Sequence, residues 1–199
     1  MNQPENKNKP VTRIAVFASG SGTNAENLIK HFSTHPSIEV ALVVTNNPDA
    51  YVLKRAEDAG VPAVVMDKDY RNSQDSVMKL LEKHGIGFIV LAGYLLLIPS
   101  WLVRQFPEKI VNIHPALLPR YGGKGMYGEH VHRAVIDSGD KESGITIHYV
   151  NEQYDQGDII FQARCPVFDE DTPETLAKRI HELEYLHFPV VIEKLIAQK

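Results

Sequence analysis

Several things are scarce in this sequence, and each scarcity removes a class of protein. One cysteine, Cys165, stands among 199 residues. That excludes an intrachain disulfide framework and any cysteine-rich zinc site, and Cys165 reads as a reduced, packed thiol just before Pro166. No apolar run approaches the roughly 20 residues of a membrane helix. The longest, Ile86 to Trp101, is interrupted by Gly87, Gly93, Pro99 and Ser100. Positive charge is not in surplus: 21 Lys+Arg against 25 Asp+Glu give −4 with histidine neutral, so broad attraction to nucleic acid is not expected. Met1 to Pro10 is polar and lacks the hydrophobic segment of a secretory signal. Residues 1–12 read as a short disordered leader before one domain over 13–199. A cytoplasmic protein with neither membrane nor nucleic-acid partners is the expectation.

Apolar residues make up 43% of the chain, enough to supply a core at a length where folding buries roughly 70% of the unfolded surface. Short β-branched runs alternate with amphipathic stretches. Arg13–Ala18, Ile38–Thr45, Ala63–Met66, Phe88–Ala92 and Ile110–Ile113 read as strands, with helices over 24–32, 52–59, 74–84 and 100–106 between them. Strands apolar on both faces argue for a mostly parallel sheet with helices on both sides. The later third differs: a helix near Val131–Ile136 is followed by two strands, Ile145–Val150 and Ile159–Ala163, with no long helix between them. A last helix starts after Thr172-Pro173, with Pro189 expected to kink or interrupt it. The fold class is α/β, one domain with a mixed C-terminal part.

Three motifs carry chemistry. Ser19-Gly20-Ser21-Gly22-Thr23-Asn24 lies between the first strand and first helix, where small residues and a helix N-terminus suit an anion. A dinucleotide site would also need a carboxylate at the end of the second strand, where Thr45-Asn46-Asn47 stands instead. The loop also lacks the Gly-Lys-Ser/Thr of a nucleotide P-loop, so a lone phosphate group fits best. Asn112 and His114 share one face of a strand end, and Pro115 holds His114 extended. An amide donor and an imidazole aimed at one point suit a developing oxyanion. Thr146 and His148 share a face of a later strand. Asp155, in Tyr154-Asp155-Gln156-Gly157, is a turn former unless its loop folds back to His114, where its charge would raise the imidazole pKa. His130 and His132 read as solvated or capping residues. His181-Glu182-Leu183-Glu184-Tyr185 has Tyr where a zinc-protease helix needs its second histidine. No metal site is expected.

The Ser-Gly-Ser-Gly-Thr-Asn loop, Leu91-Ala92-Gly93-Tyr94, Asn112-Ile113-His114-Pro115-Ala116-Leu117-Leu118-Pro119 and Tyr154-Asp155-Gln156-Gly157 together resemble the folate-dependent formyltransferases, and among them the phosphoribosylglycinamide formyltransferases. The resemblance runs from about Arg13 to the C-terminal helix. It implies a single-domain, Rossmann-like formyltransferase fold and formyl transfer from 10-formyltetrahydrofolate, a co-substrate, to the amine of 5-phosphoribosylglycinamide in purine (IMP) synthesis. By position it makes Asn112, His114 and Asp155 the catalytic trio, Ser21, Gly22, Thr23 and Asn24 the phosphate loop, and Glu184 the ribose carboxylate. It makes Leu95, Leu96, Leu97 and Ile98, with Asn112, the pterin pocket, and sets Arg71 near the folate tail. Thr146 and His148 support the site from behind. The partners implied are small molecules, for a monomer or weak homodimer. Methionyl-tRNA formyltransferases and formyltetrahydrofolate hydrolases are similar through the same string, but a single-domain length favours the first reading. A phosphate-binding module without catalysis would explain the glycine loop alone. Two departures stand out: Leu96 occupies a position where the resemblance leads one to expect a basic residue, and Gly122–Gly128 is longer than the short form of that loop.

Overall fold

The computed structural model of the chain describes residues 11–198. The leader expected over 1–12 lies outside them except for Val11 and Thr12, and Thr12 already pairs with Ile38 in the first strand. Strands β1 (Thr12–Phe17), β2 (Ile38–Thr45), β3 (Ala63–Val65), β4 (Ile86–Leu91), β5 (Ile110–His114), β6 (Glu142–Tyr149) and β7 (Ile159–Pro166) form a 7-stranded sheet in the order β3-β2-β1-β4-β5-β6-β7. The first five run parallel, whereas β6 is antiparallel to β5 and β7 to β6. The helices are α1 (Thr23–Phe32), α2 (Val52–Asp58), α3 (Lys68–Asn72), α4 (Gln74–Lys83), α5 (Ser100–Gln105), α6 (Glu129–Asp137) and α7 (Pro173–Ala197).

Strand alternation splits the core into two layers. Ile14 and Val16 of β1 join Leu28 and Phe32 of α1, Val135 of α6 and Leu176, Ile180 and Phe188 of α7. Ala15 and Phe17 point the other way, onto Leu80 and Leu81 of α4 and Leu102 of α5. Helix α3 was not anticipated. None of its five residues is fully buried and only Tyr70 packs against the core, so hydrophobic periodicity has no signal there, and its start is fixed by the Asp67 side chain accepting from Tyr70 N at 2.8 Å.

Pro189 does not interrupt α7, which continues through it for 25 residues. Proline lacks the N–H that would have bonded the carbonyl of Tyr185 four residues back. Asn27 of α1 supplies the replacement, its Nδ2 donating to Tyr185 O at 3.1 Å. The start of α7 follows the sequence: Thr172 Oγ1 accepts from Thr175 N at 3.3 Å, and Thr175 Oγ1 accepts from Thr172 N at 2.9 Å.

The strand order reverses direction between β1 and β4, the switch point at which open α/β sheets leave a crevice beyond their carboxyl ends. Ser19 stitches this crevice together. Its N–H donates to Gly93 O at 3.0 Å, its hydroxyl donates to Asn46 Oδ1 at 2.5 Å, and the hydroxyl oxygen accepts from Leu95 N at 3.0 Å. The loops after β1, β2 and β4 are thereby fixed to one another.

The segment between β6 and β7 turns back on the sheet because Gly157 has no side chain. A Cβ there would lie 1.7 Å from Tyr149 O, so backbone contact replaces side-chain packing. Gly157→Ala is expected to destabilise the protein by about 1–3 kcal/mol in urea unfolding and to lower activity by displacing Asp155. Unchanged stability would show that the segment tolerates rebuilding.

Candidate active site

A cavity of about 280 Å³ opens at the switch point. Ser21, Gly22, Thr23 and Asn24 line one end, and Glu184, His181 and His132 lie along its wall. Asn112, His114, Asp155, Tyr94 and Leu95 complete it, so residues from widely separated parts of the sequence meet in one place. A smaller cavity of about 50 Å³ shares Tyr94, Asn112, Tyr154 and Asp155 and is lined by Leu96, Leu97, Ile98 and His148.

At the first end, Gly22 is the N-cap of α1 with φ of 71°. A Cβ on it would lie 2.4 Å from Val52 Cγ2 and 2.8 Å from Val52 Cα, so the loop rests directly on the start of α2. No side chain caps α1, which leaves its first-turn N–H groups and its partial positive charge to an anion. Arg55 braces the loop from outside, Nε donating to Ser21 O at 2.8 Å while the guanidinium pairs with Glu26. Glu184 is buried in the wall. Its Oε2 accepts from Asn24 Nδ2 and from His181 Nδ1, both at 2.8 Å, and Oε1 has no partner among the described residues. The bond to Glu184 raises the His181 pKa, against burial.

At the other end, the β5–β6 register sets Asn112 opposite His148 and His114 opposite Thr146. The His148 Nδ1 lies 2.7 Å from Tyr149 O and must carry the proton. Its Nε2 lone pair then accepts from Asn112 Nδ2 at 3.1 Å, which orients the amide. The same Nδ2 reaches Asp155 Oδ1 at 3.4 Å. Asp155 adopts a left-handed backbone, φ 55°, a conformation that costs energy and is held by its surroundings. Its Oδ2 accepts from Gly123 N at 2.9 Å and lies 3.6 Å from His114 Nδ1. The His114 Nε2–H donates to Tyr121 O at 2.7 Å. Thr146 locks the chain beyond β5: its hydroxyl donates to Ala116 O at 2.6 Å and accepts from Leu118 N at 3.0 Å and Gln162 Nε2 at 2.9 Å.

Burial opposes ionisation of Asp155, but the neighbouring imidazoles of His148 and His114 and the Gly123 N–H favour the carboxylate and hold its pKa below the ordinary value. His114 behaves differently from expectation. The proximity of Asp155 is present, yet the imidazole pKa is lowered, because desolvation exceeds the attraction of Asp155 and the Tyr121 carbonyl. The resting ring is therefore neutral at pH 7, with its proton on Nε2 and its Nδ1 lone pair toward Asp155.

Among the expected folate residues, Leu96, Leu97 and Ile98 border the smaller cavity, whereas Leu95 borders the larger one. Arg71 lines neither. It neighbours the Tyr94 side chain, where it partly offsets the rise in pKa that burial causes, and shares a small cavity with Met66, Val77 and Trp101. His130 is exposed beside Tyr127, as expected of a surface histidine. His132 is not: it is 3% exposed and lines the cavity. It lies three residues before buried Val135, and that spacing was the available signal. The His181 role was also missed, although His181 stands three residues from Glu184 on one helix face.

Residues 12–192 match the formyl transferase family, and the chain belongs to it. Its relatives include phosphoribosylglycinamide formyltransferases. The chloroplastic one of Arabidopsis thaliana is 46% identical over 186 residues, covering 90% of this chain and 64% of that protein. The one of Haemophilus influenzae is 40% identical over 187 residues, covering 91% and 85%. The crystal structure of phosphoribosylglycinamide formyltransferase from Anaplasma phagocytophilum is similar with a TM-score of 0.84 at 36% identity, over 94% of this chain and 88% of that one. Among the described residues no helix is long and apolar enough to cross a membrane.

Asp155→Asn removes the charge that partly offsets burial, so the His114 pKa should fall further below 6.5 in an NMR titration. An unchanged value would show that the two groups do not interact. The His132 pKa is lowered to about 4, first by desolvation and then by His181. Between that value and its ordinary 6.5 the unfolded chain binds the extra proton, so this contribution to stability is full above pH 6.5 and lost as pH falls toward 4. His132→Phe should accordingly flatten the dependence of Tm on pH in that window, and an unchanged slope would contradict the assignment.

Proposed function

We propose that the chain transfers a formyl group from 10-formyltetrahydrofolate to the primary amine of 5-phosphoribosylglycinamide, a step of purine synthesis toward IMP. The observation that carries this reading is a single cavity joining an uncapped helix start, a buried carboxylate with an unpartnered oxygen, and the Asn112–His114–Asp155 cluster. The family uses a folate-derived formyl donor as co-substrate. The loop Ser21–Asn24 takes the phosphate, Glu184 Oε1 accepts from the ribose, and the apolar cleft of Leu96, Leu97 and Ile98 takes the pterin, without the basic side chain that Leu96 replaces. Arg71 remains a folate-tail residue only if it leaves Tyr94. Small molecules are the partners, no metal is needed, and the protein acts in the cytoplasm as a monomer or weak homodimer.

The amine attacks the formyl carbon and a tetrahedral intermediate gathers negative charge on oxygen. Asn112 Nδ2 has one short contact, to His148, and one long contact of 3.4 Å, to Asp155. The hydrogen on the long contact is the one an oxyanion would draw. Neutral His114 accepts the amine proton at Nδ1, directly or through water, and Asp155 stabilises the imidazolium as it forms. The C–N bond to the folate then breaks, and His114 returns the proton to the leaving nitrogen. Thr146 and His148 hold the loop and the amide in place, Thr146 from behind the cavity wall and His148 from the floor of the pterin cleft.

Formyl transfer measured with 5-phosphoribosylglycinamide, methionyl-tRNA and water as acceptors tests this directly; preference for either of the last two would overturn it. Asn112→Ala should lower kcat by about 10²–10³, the usual effect of losing one oxyanion donor, with substrate affinities little changed. A fall of only a few-fold would make Asn112 a structural residue. Gly22→Ala should raise KM for the ribonucleotide strongly while leaving KM for the folate nearly unchanged, because the added methyl group meets Val52 and moves the phosphate loop. Equal effects on both would place the phosphate elsewhere.

A further inference from the structure

Four buried side-chain polar atoms lack a hydrogen-bond partner among the described residues, and two of them, Asn24 Oδ1 and His132 Nδ1, belong to residues lining the active-site cavity. The His132 ring is the more informative. It projects from α6 beside buried Val131 and Val135, and at 3% exposure it is almost wholly enclosed. Its Nδ1 is sealed and unpartnered. Its Nε2 has no protein partner either, but it is not sealed, so the ring meets the cavity through that atom.

A neutral imidazole has one N–H and one lone pair to place. A hydrogen on Nδ1 would strand a donor in a closed space. A hydrogen on Nε2 faces the cavity and strands only a lone pair, and buried unpaired acceptors are tolerated more often than unpaired donors. Burial, seconded by His181 and resisted by Glu184, keeps the ring neutral at pH 7, with a pKa of about 4. So weak a base cannot take the proton of an attacking amine. What remains is a fixed, uncharged N–H donor.

We propose that His132 is a substrate-binding residue whose Nε2–H donates to the amide carbonyl oxygen of the glycinamide arm and so aims the terminal amine at the formyl carbon. This rests on the reading of the substrate given above. The position of the ring argues for that atom. Asn24 and Glu184 lie at the ribose-phosphate end of the cavity, Asn112 and His114 at the reacting end, and His132 interacts with both Glu184 and His114. The part of 5-phosphoribosylglycinamide that joins those ends is an amide, and its acceptor is the carbonyl oxygen. An uncharged donor also suits the chemistry, because a second cation would oppose proton uptake by His114.

The test compares 5-phosphoribosylglycinamide with its thioamide analogue, whose sulfur is a poor acceptor, on wild type, His132→Phe and His132→Gln. Sulfur should cost wild type about 3–10-fold in kcat/KM, and His132→Phe should cost about as much on the natural substrate. On the thioamide, His132→Phe should add less than about twofold, since the same bond is already lost. His132→Gln, which keeps a neutral donor, should regain part of the rate and the sensitivity to sulfur, and KM for the formyl donor should stay constant throughout. If His132→Phe does not fold, His132→Leu is read in the same way. Multiplicative losses, in which the variant costs both substrates equally, would overturn the role of His132 alone. A wild-type protein that does not formylate 5-phosphoribosylglycinamide would overturn the underlying reading with it.

Discussion

The antiparallel register between β5 and β6 sets Asn112 against His148 and His114 against Thr146, and the rest of the site is arranged around those two pairs. Because side chains alternate along a strand, a slip of one residue would turn His148 and Thr146 to the opposite face of the sheet. Asn112 would lose the ring that orients its amide, and the Ala116 carbonyl and Leu118 N–H would lose the hydroxyl that holds them. A parallel neighbour could not do this as economically. By entering from the opposite direction, β6 ends beside the start of β5, and the segment that follows turns back to bring Asp155 against Asn112 and His114.

The two ends of the cavity solve opposite electrostatic problems. At the end beside α1 a carboxylate is enclosed with two donors on one oxygen, and His181 is drawn toward its charged form by that contact. At the end beside β5, enclosure dominates and His114 is drawn toward its neutral form despite a carboxylate at 3.6 Å. The same two ingredients, burial and an adjacent acid, are present in both places. Direct hydrogen bonding at 2.8 Å decides one, and its absence decides the other.

Strand positions and the order of elements were legible because buried parallel strands leave dense β-branched runs, as in Ile38–Thr45, which the structure reproduces residue for residue. The short α3 was not, since a five-residue helix with a single core contact, Tyr70, has no apolar stripe. The Asn112–His114 pair could be read from alternation alone. The approach of Asp155 could not, because it depends on a left-handed backbone and on the close approach at Gly157. The sign of the His114 shift was misjudged for a related reason: the charge partner is visible in the sequence, but the degree of enclosure is a property of the assembled fold. Glu184 could have been found without any resemblance. It falls in the stripe Leu176, Ile180, Phe188, Ile192, where a carboxylate has no place unless it serves a purpose.

That stripe has a consequence for recognition itself. Glu184 cannot swing on a mobile loop, because the residues one turn above and below it, Ile180 and Phe188, are wholly buried in the main core. The conformational entropy of fixing the carboxylate is lost once, when the chain folds, and not each time a ligand arrives. A hydroxyl group brought to Glu184 would therefore meet a rigid acceptor that needs no reorganisation. Conversely, any ligand held by Glu184 is held by the core, so occupancy of the cavity and cohesion of the C-terminal helix are thermodynamically linked.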